Sequence, residues 1–178
     1  MTENTSEEVL YAPWRIPYIR RASRDEQEGC FLCEARDADD PVPHLVLARG
    51  AQAFVLMNRY PYHPGHLMIA THAHQGEVEE VGEEAAREAW RWLVVCKAVL
   101  AEVMHPRGFN IGINQGRCAG AGVVDHFHMH IVPRWSGDNN FMPVLANTRV
   151  FSQALKELYA DLHAAFDAHE GPGRRGRP

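Results

Sequence analysis

The chain has 178 residues, 46% of them hydrophobic, and a net charge of −5, which suits one sizeable core in a single domain. The acidic balance disfavours a generic nucleic-acid coat, and no apolar run is long enough to span a bilayer. Residues 1–8 are acidic and lead into no apolar core, unlike a secretory signal, so a cytoplasmic protein is expected, with neither nucleic acid nor membrane as partner.

Residues 1–27 are polar and carry Tyr11-Ala12-Pro13-Trp14-Arg15-Ile16-Pro17-Tyr18. They read as an N-terminal arm laid over a surface, a neighbouring subunit's included. Residues 28–170 form the domain, and 171–178, with Gly171-Pro172-Gly173 ahead of Arg174-Arg175-Gly176-Arg177, form a disordered basic tail.

Cys30-Phe31-Leu32-Cys33 has the two-residue gap that lets two thiolates reach one zinc. Half a site also suits a reduced pair, and a reducing compartment disfavours a disulfide. Short apolar or alternating runs at 45–48, 53–58, 66–71, 109–114 and 127–132 predict strands, and their turn-rich connections favour an antiparallel sheet. Ala89, Leu93, Cys96, Val99 and Val103 recur at helical spacing and predict a long helix over 83–104, ended by His105-Pro106. Leu155, Leu158, Leu162 and Phe166 predict a second helix over about 152–168. The pattern is that of an α+β protein without internal repeats. Cys96 falls at a core-facing position, as a small apolar filler would.

Asn114-Gln115-Gly116-Arg117-Cys118-Ala119-Gly120-Ala121-Gly122 combines amide donors with small residues that let an anion approach the main chain. Directly after it, His126, His128 and His130 alternate within an apolar run, so on a strand all three imidazoles face one way. Imidazole serves near neutral pH as nucleophile, proton carrier or metal ligand. A row of three beside an anion-accepting turn therefore suggests a phosphate site.

His126-x-His128-x-His130, followed by two apolar residues and Pro133-Arg134, resembles the signature of the histidine-triad (HIT) superfamily of nucleotidyl hydrolases and transferases. Upstream, Asn58-Arg59-Tyr60-Pro61-Tyr62-His63-Pro64-Gly65-His66 resembles the segment with which that family grips its nucleoside. The likeness covers roughly residues 28–145. A longer Ala119-Gly120-Ala121-Gly122 turn and the extension from Pro133 through Trp135 to Phe141 resemble its diadenosine tetraphosphate phosphorylase branch, which cleaves dinucleoside polyphosphates with inorganic phosphate.

The resemblance implies a HIT-like fold, with an antiparallel sheet, a long helix and a C-terminal helix, that dimerises partly through the long helix. It implies that His128 attacks the α-phosphate and forms a nucleotidyl-histidine. For that, the other ring nitrogen must keep its proton on a fixed acceptor, which leaves the ring neutral. His126 and His130 would support it. Asn114, Gln115 and the amides around Gly120, Ala121 and Gly122 would hold phosphate oxygens. Asn58 would bond the ribose, Phe54 and Leu56 would wall the base, His66 would close the pocket, and Trp135 would border the second nucleotide or belong to the core.

A structural zinc is also implied, on Cys30 and Cys33 with His74 and His126; His72, or more weakly His44, is an alternative to His74. Four protein ligands leave no open position for activating water. Mg²⁺ accompanying the polyphosphate stays open. The alternatives are hydrolysis of diadenosine tetra- or triphosphate or of phosphoramidates by the same histidine, a catalytic metal held by the three imidazoles themselves, and a nucleotide-binding protein without turnover.

Overall fold

The computed structural model describes residues 29–61, 63–138 and 155–169. The expected arm (1–27) and tail (171–178) lie outside the described residues. A short helix, α1 (Phe31–Asp37), precedes three strands, β1 (Val46–Arg49), β2 (Ala53–Met57) and β3 (Leu67–Thr71). The long helix α2 (Glu83–Met104) follows, then β4 (Gly108–Ile113), β5 (His128–Arg134) and helix α3 (Leu155–Ala168). The five strands form one antiparallel sheet in the order β1-β2-β3-β5-β4. The α+β expectation and the position of the long helix both hold.

Alternation along the strands divides the core. Val55, Met57, Leu67, Ile69, Met129 and Ile131 point to one face, where α2 brings Trp92, Cys96 and Leu100 and α3 brings Leu158, Leu162 and Phe166. Phe54, Leu56, Met68 and Ala70 point to the other face and pack with Leu32 and Ala35 of α1. Each fully buried side chain of this size contributes about 1.5–3 kcal/mol. Because Met129 and Ile131 face the helices, His128 and His130 face away from them. They sit opposite Ala70 and Met68 on β3.

The strand limits differ locally from those predicted. Leu45 takes a left-handed conformation, φ 58°, and its N–H closes a turn to Val42, so β1 starts one residue later. The Phe127 N–H donates to Gln75 O rather than to a strand, so β5 starts at His128. At its other end β5 runs through Pro133 and Arg134, which pair with Phe109 and Gly108. The β3 pairing has already ended at Ile131, so the missing proline N–H costs no ladder bond on that side. Helix α1 was not predicted; seven residues are too few for a period to show.

Gly65 shows why the Pro64-Gly65-His66 turn needs glycine. Its φ is 76°, and a Cβ there would lie 2.5 Å from Met104 Sδ and 3.0 Å from Pro133 Cγ. The turn therefore packs directly against the end of α2 and of β5 and delivers His66 to the head of β3.

Candidate active site and metal centre

His128 is 6% exposed and its Nδ1–H donates to the main-chain carbonyl of His126 at 2.8 Å. A carbonyl only accepts, so the proton is fixed on Nδ1 and Nε2 carries the free lone pair. Burial, partly opposed by that bond, pushes the His128 pKa below its ordinary value. The ring is therefore neutral near pH 7, as a nucleophile must be.

His130 lies beside it with ring centroids 4.9 Å apart in an edge-to-face arrangement. Its Nδ1 meets Nε2 of His66 at 2.9 Å, so the two rings share one proton. Gly65 thus serves the site indirectly, because the turn it permits places buried His66 under the triad. Asn58, at the end of β2, accepts the Tyr60 N–H on Oδ1 at 2.8 Å and sets Nδ2 against Met68 Sδ at 3.6 Å. Phe54 and Leu56 lie on the histidine face but are closed beneath α1, at 0% and 1% exposure.

The first histidine is held differently. The His126 Nε2–H donates to Thr71 O at 2.7 Å, which leaves Nδ1 unprotonated. That atom lies 3.3 Å from Cys30 Sγ and 3.5 Å from Cys33 Sγ, while His74 Nδ1 lies 3.3 Å from Cys33 Sγ. The four donor atoms are all within 4.8 Å of one another. Tetrahedral zinc with its usual bond lengths separates sulfur and nitrogen ligands by about 3.5 Å, so the donors fit. Cys30 caps α1 and Cys33 lies on its first turn, three residues on, which turns both sulfurs to one side. Burial and the neighbouring Cys30 hold the Cys33 thiol above its ordinary pKa; a bound cation reverses that balance.

His72 does not join the cluster. β3 ends at Thr71, whose hydroxyl donates to Ala73 O. The bend breaks the strand alternation, leaves His72 edge-on to Phe54, and delivers His74 to the cysteines. His44 is absent from the cluster too. Nor do the triad imidazoles converge on one ion: Nδ1 of His126 faces the sulfurs, Nδ1 of His128 faces its own main chain, and Nδ1 of His130 faces His66. The reading of three imidazoles around one catalytic metal is thereby removed.

The turn after β4 is less open than its composition suggests. The Gly120 N–H closes on Arg117 O at 3.0 Å and the Ala121 N–H on Gly116 O at 3.3 Å. Gln115 spends its Nε2 on Glu77 Oε2 at 2.7 Å and Gly76 O at 3.3 Å. Asn114 and Gly122 flank this turn. Cys118 is exposed within it and Cys96 is fully buried in the core; all four cysteines are free. The Trp135 indole N–H donates to Met104 O at 3.3 Å, and Arg134 makes a two-pronged ion pair with Asp138 at 2.6 and 2.9 Å. These bonds tie down the end of β5.

Comparison with known proteins gives a consistent picture. The family model described as HIT domain matches residues 41–137. A Mycobacterium tuberculosis protein named AP-4-A phosphorylase is 32% identical over 154 residues, covering 83% of this chain and 78% of that protein. A Dictyostelium discoideum bis(5'-adenosyl)-triphosphatase is 29% identical over 105 residues, 59% of this chain and 66% of that protein. Among solved structures, a Zn-bound histidine triad family protein from Mycobacterium smegmatis superposes with a TM-score of 0.60 at 23% identity, covering 79% of this chain and 94% of that one.

Proposed function

The chain belongs to the HIT domain family, and from that premise we propose that this enzyme cleaves dinucleoside polyphosphates, passing a nucleotidyl group through His128 to inorganic phosphate. The observation that carries the reading is the 2.8 Å bond from His128 Nδ1–H to His126 O. It fixes a buried, neutral imidazole with Nε2 available for in-line attack. Attack forms the P–Nε2 bond and expels the polyphosphate; the acceptor then breaks that bond. His130, sharing its proton with His66, stands beside the reacting phosphorus to hydrogen-bond the departing or bridging oxygen.

Other residues are assigned by the same reading. Asn58 takes the ribose hydroxyls, while Phe54 and Leu56, already buried, back the nucleoside pocket. Asn114 and the Gly120-Ala121-Gly122 turn line the phosphate path. Trp135, whose N–H is committed to Met104, contributes by anchoring β5.

Phosphorolysis is favoured by the 32% identity to the protein named as a phosphorylase. Hydrolysis is the second reading, supported by the relative named as a triphosphatase. Incubating the protein with diadenosine tetraphosphate, with and without phosphate, separates them. ADP and ATP appearing only with phosphate is the expected result. AMP and ATP regardless of phosphate assigns hydrolysis, and no cleavage overturns both readings.

We assign the Cys30, Cys33, His74 and His126 cluster to a structural zinc. When bound, the ion supplies four fixed bonds joining α1, the segment after β3 and the entry to β5. The M. smegmatis protein described as Zn-bound supports this assignment. No second cluster of metal donors is gathered among the described residues, so Mg²⁺ has no protein site in this reading. No described helix is long and apolar enough to cross a membrane, and four free cysteines suit the reducing cytoplasm proposed for the protein.

Dimerisation is proposed through β4 and α2. Lys97 of α2 lies over the Phe109 ring of β4. Val94 and Trp90 continue the Lys97 face by helical spacing, and Ile111 and Ile113 continue the Phe109 face by strand spacing. These four apolar residues are 41–62% exposed, beside β4, which is at the edge of the sheet among the described residues. A second copy covers both. Light scattering is expected to give twice the chain mass, and the Trp90→Glu, Ile111→Glu double variant to give a monomer; a monomeric wild type rejects the interface.

A further inference from the structure

Residues 74–77 touch the metal cluster, the segment entering β5 and the turn after β4. His74 joins the metal cluster, and Gln75 O receives the Phe127 N–H at 2.7 Å. Gly76 packs so closely that a Cβ would lie 2.3 Å from Val124 O and 2.9 Å from Asp125 Cα. Glu77 then takes the side chain of Gln115, 38 residues on. Glu77 is itself held, because its carboxylate and that of Glu80 cap the main chain of the same short turn reciprocally. Glu77 is therefore bonded both to its own turn and to Gln115.

The partners of Gln115 fix its orientation chemically. A carboxylate and a main-chain carbonyl only accept, so the atom facing them is the amide nitrogen. Its two hydrogens go to Glu77 and Gly76. What remains at the other pole is the carbonyl oxygen, which repels a phosphate oxyanion and accepts an O–H. Ile113 is paired with Met129, which places Gln115 just past the end of β4, alongside the entry to His128.

We propose that Glu77 is a positioning residue that turns Gln115 so that its carbonyl oxygen orients the incoming acceptor, the O–H of water or of monohydrogen phosphate. The inference rests on the proposed two-step transfer. In the second step the acceptor oxygen bonds phosphorus, the P–Nε2 bond breaks, and its electron pair returns to His128 as neutral imidazole. With water, the attacking oxygen keeps one proton on the product and loses to solvent the other, whose O–H is oriented by the Gln115 carbonyl. With hydrogen phosphate, an unprotonated oxygen attacks, and the oriented P–OH stays on the product until it ionises. Forming the nucleotidyl-histidine needs no acceptor, so Glu77 acts on discharge alone.

Rapid-quench kinetics on diadenosine tetraphosphate tests this by separating formation of the nucleotidyl enzyme from its discharge. Glu77→Ala and Gln115→Ala should each form it within about two-fold of wild type and discharge it about 10-fold more slowly. The double variant should be no slower than either single one. Glu77→Gln, whose amide oxygen accepts the same N–H, should recover wild-type discharge. If Glu77→Ala loses its fold by circular dichroism, Gln115→Glu replaces it: that side chain keeps an acceptor but loses the donor to Glu77, and its discharge must fall as far as that of Gln115→Ala. Equal slowing of formation, multiplying effects in the double variant, or wild-type discharge by Gln115→Glu overturns the proposal while leaving the two-step reaction intact. A wild-type enzyme that forms no nucleotidyl-histidine overturns both.

Discussion

Replacing His128 with alanine is expected to lower turnover of diadenosine tetraphosphate by at least about 10⁴-fold, as removal of an enzyme's covalent nucleophile does. The physical basis is specific to this ring. Its position on β5 gives it a main-chain acceptor for Nδ1–H in the carbonyl two residues earlier, and burial keeps it uncharged. His126 offers neither nitrogen, since Nε2 donates to Thr71 O and Nδ1 faces the sulfurs, and His130 is engaged with His66 through Nδ1. The variant should keep its fold, because Met129 and Ile131 still seat the strand on the helix layer, and should still bind nucleotide. Steady-state rates, circular dichroism and nucleotide titration check the three statements. Turnover near wild type removes the covalent mechanism.

Cys33→Ser is expected to abolish zinc binding and to lower the melting temperature by roughly 10 °C. A metal present at a thousand times its dissociation constant stabilises the folded state by about 4 kcal/mol, and a chain of this length shifts about 2–4 °C per kcal/mol. The loss should be large because the ligands come from three places, α1, the turn after β3 and the entry to β5. His126 joins the two sites: the cluster holds its ring, and its carbonyl holds His128, the proposed nucleophile. Elemental analysis and thermal melts with and without chelator check the prediction. No zinc in the wild type, or an unchanged melting temperature, removes the metal assignment.

Wherever a local period carries the information, sequence and structure agree. The apolar spacing in 83–104 marks a helix with the same limits as α2. Alternation predicts all three imidazoles on one face, because successive side chains of a strand must point opposite ways; this holds for His128 and His130, whereas His126 lies before β5 and is held by Thr71 and the cysteines. The Pro64-Gly65-His66 turn is legible as a turn, and its need for glycine follows from a positive φ and a close approach.

Tertiary structure decided the partners. Whether His72 or His74 joins the cysteine cluster depends on the Thr71 bend, and the commitment of the Gln115 N–H groups depends on Glu77 and Gly76. No spacing reports either, and Glu77 carried no signal of its own. The pairing of His66 with His130, 64 residues apart, and of Cys30 with His126, 96 apart, requires β5 to enter the sheet between β3 and β4. The sequence by itself determined the strands, the two longer helices, the face shared by His128 and His130 and the chemistry these side chains can perform, since periodicity is a property of neighbouring residues. Which side chains meet was left to the register of strands far apart in the chain, where one residue of slip reverses every side chain.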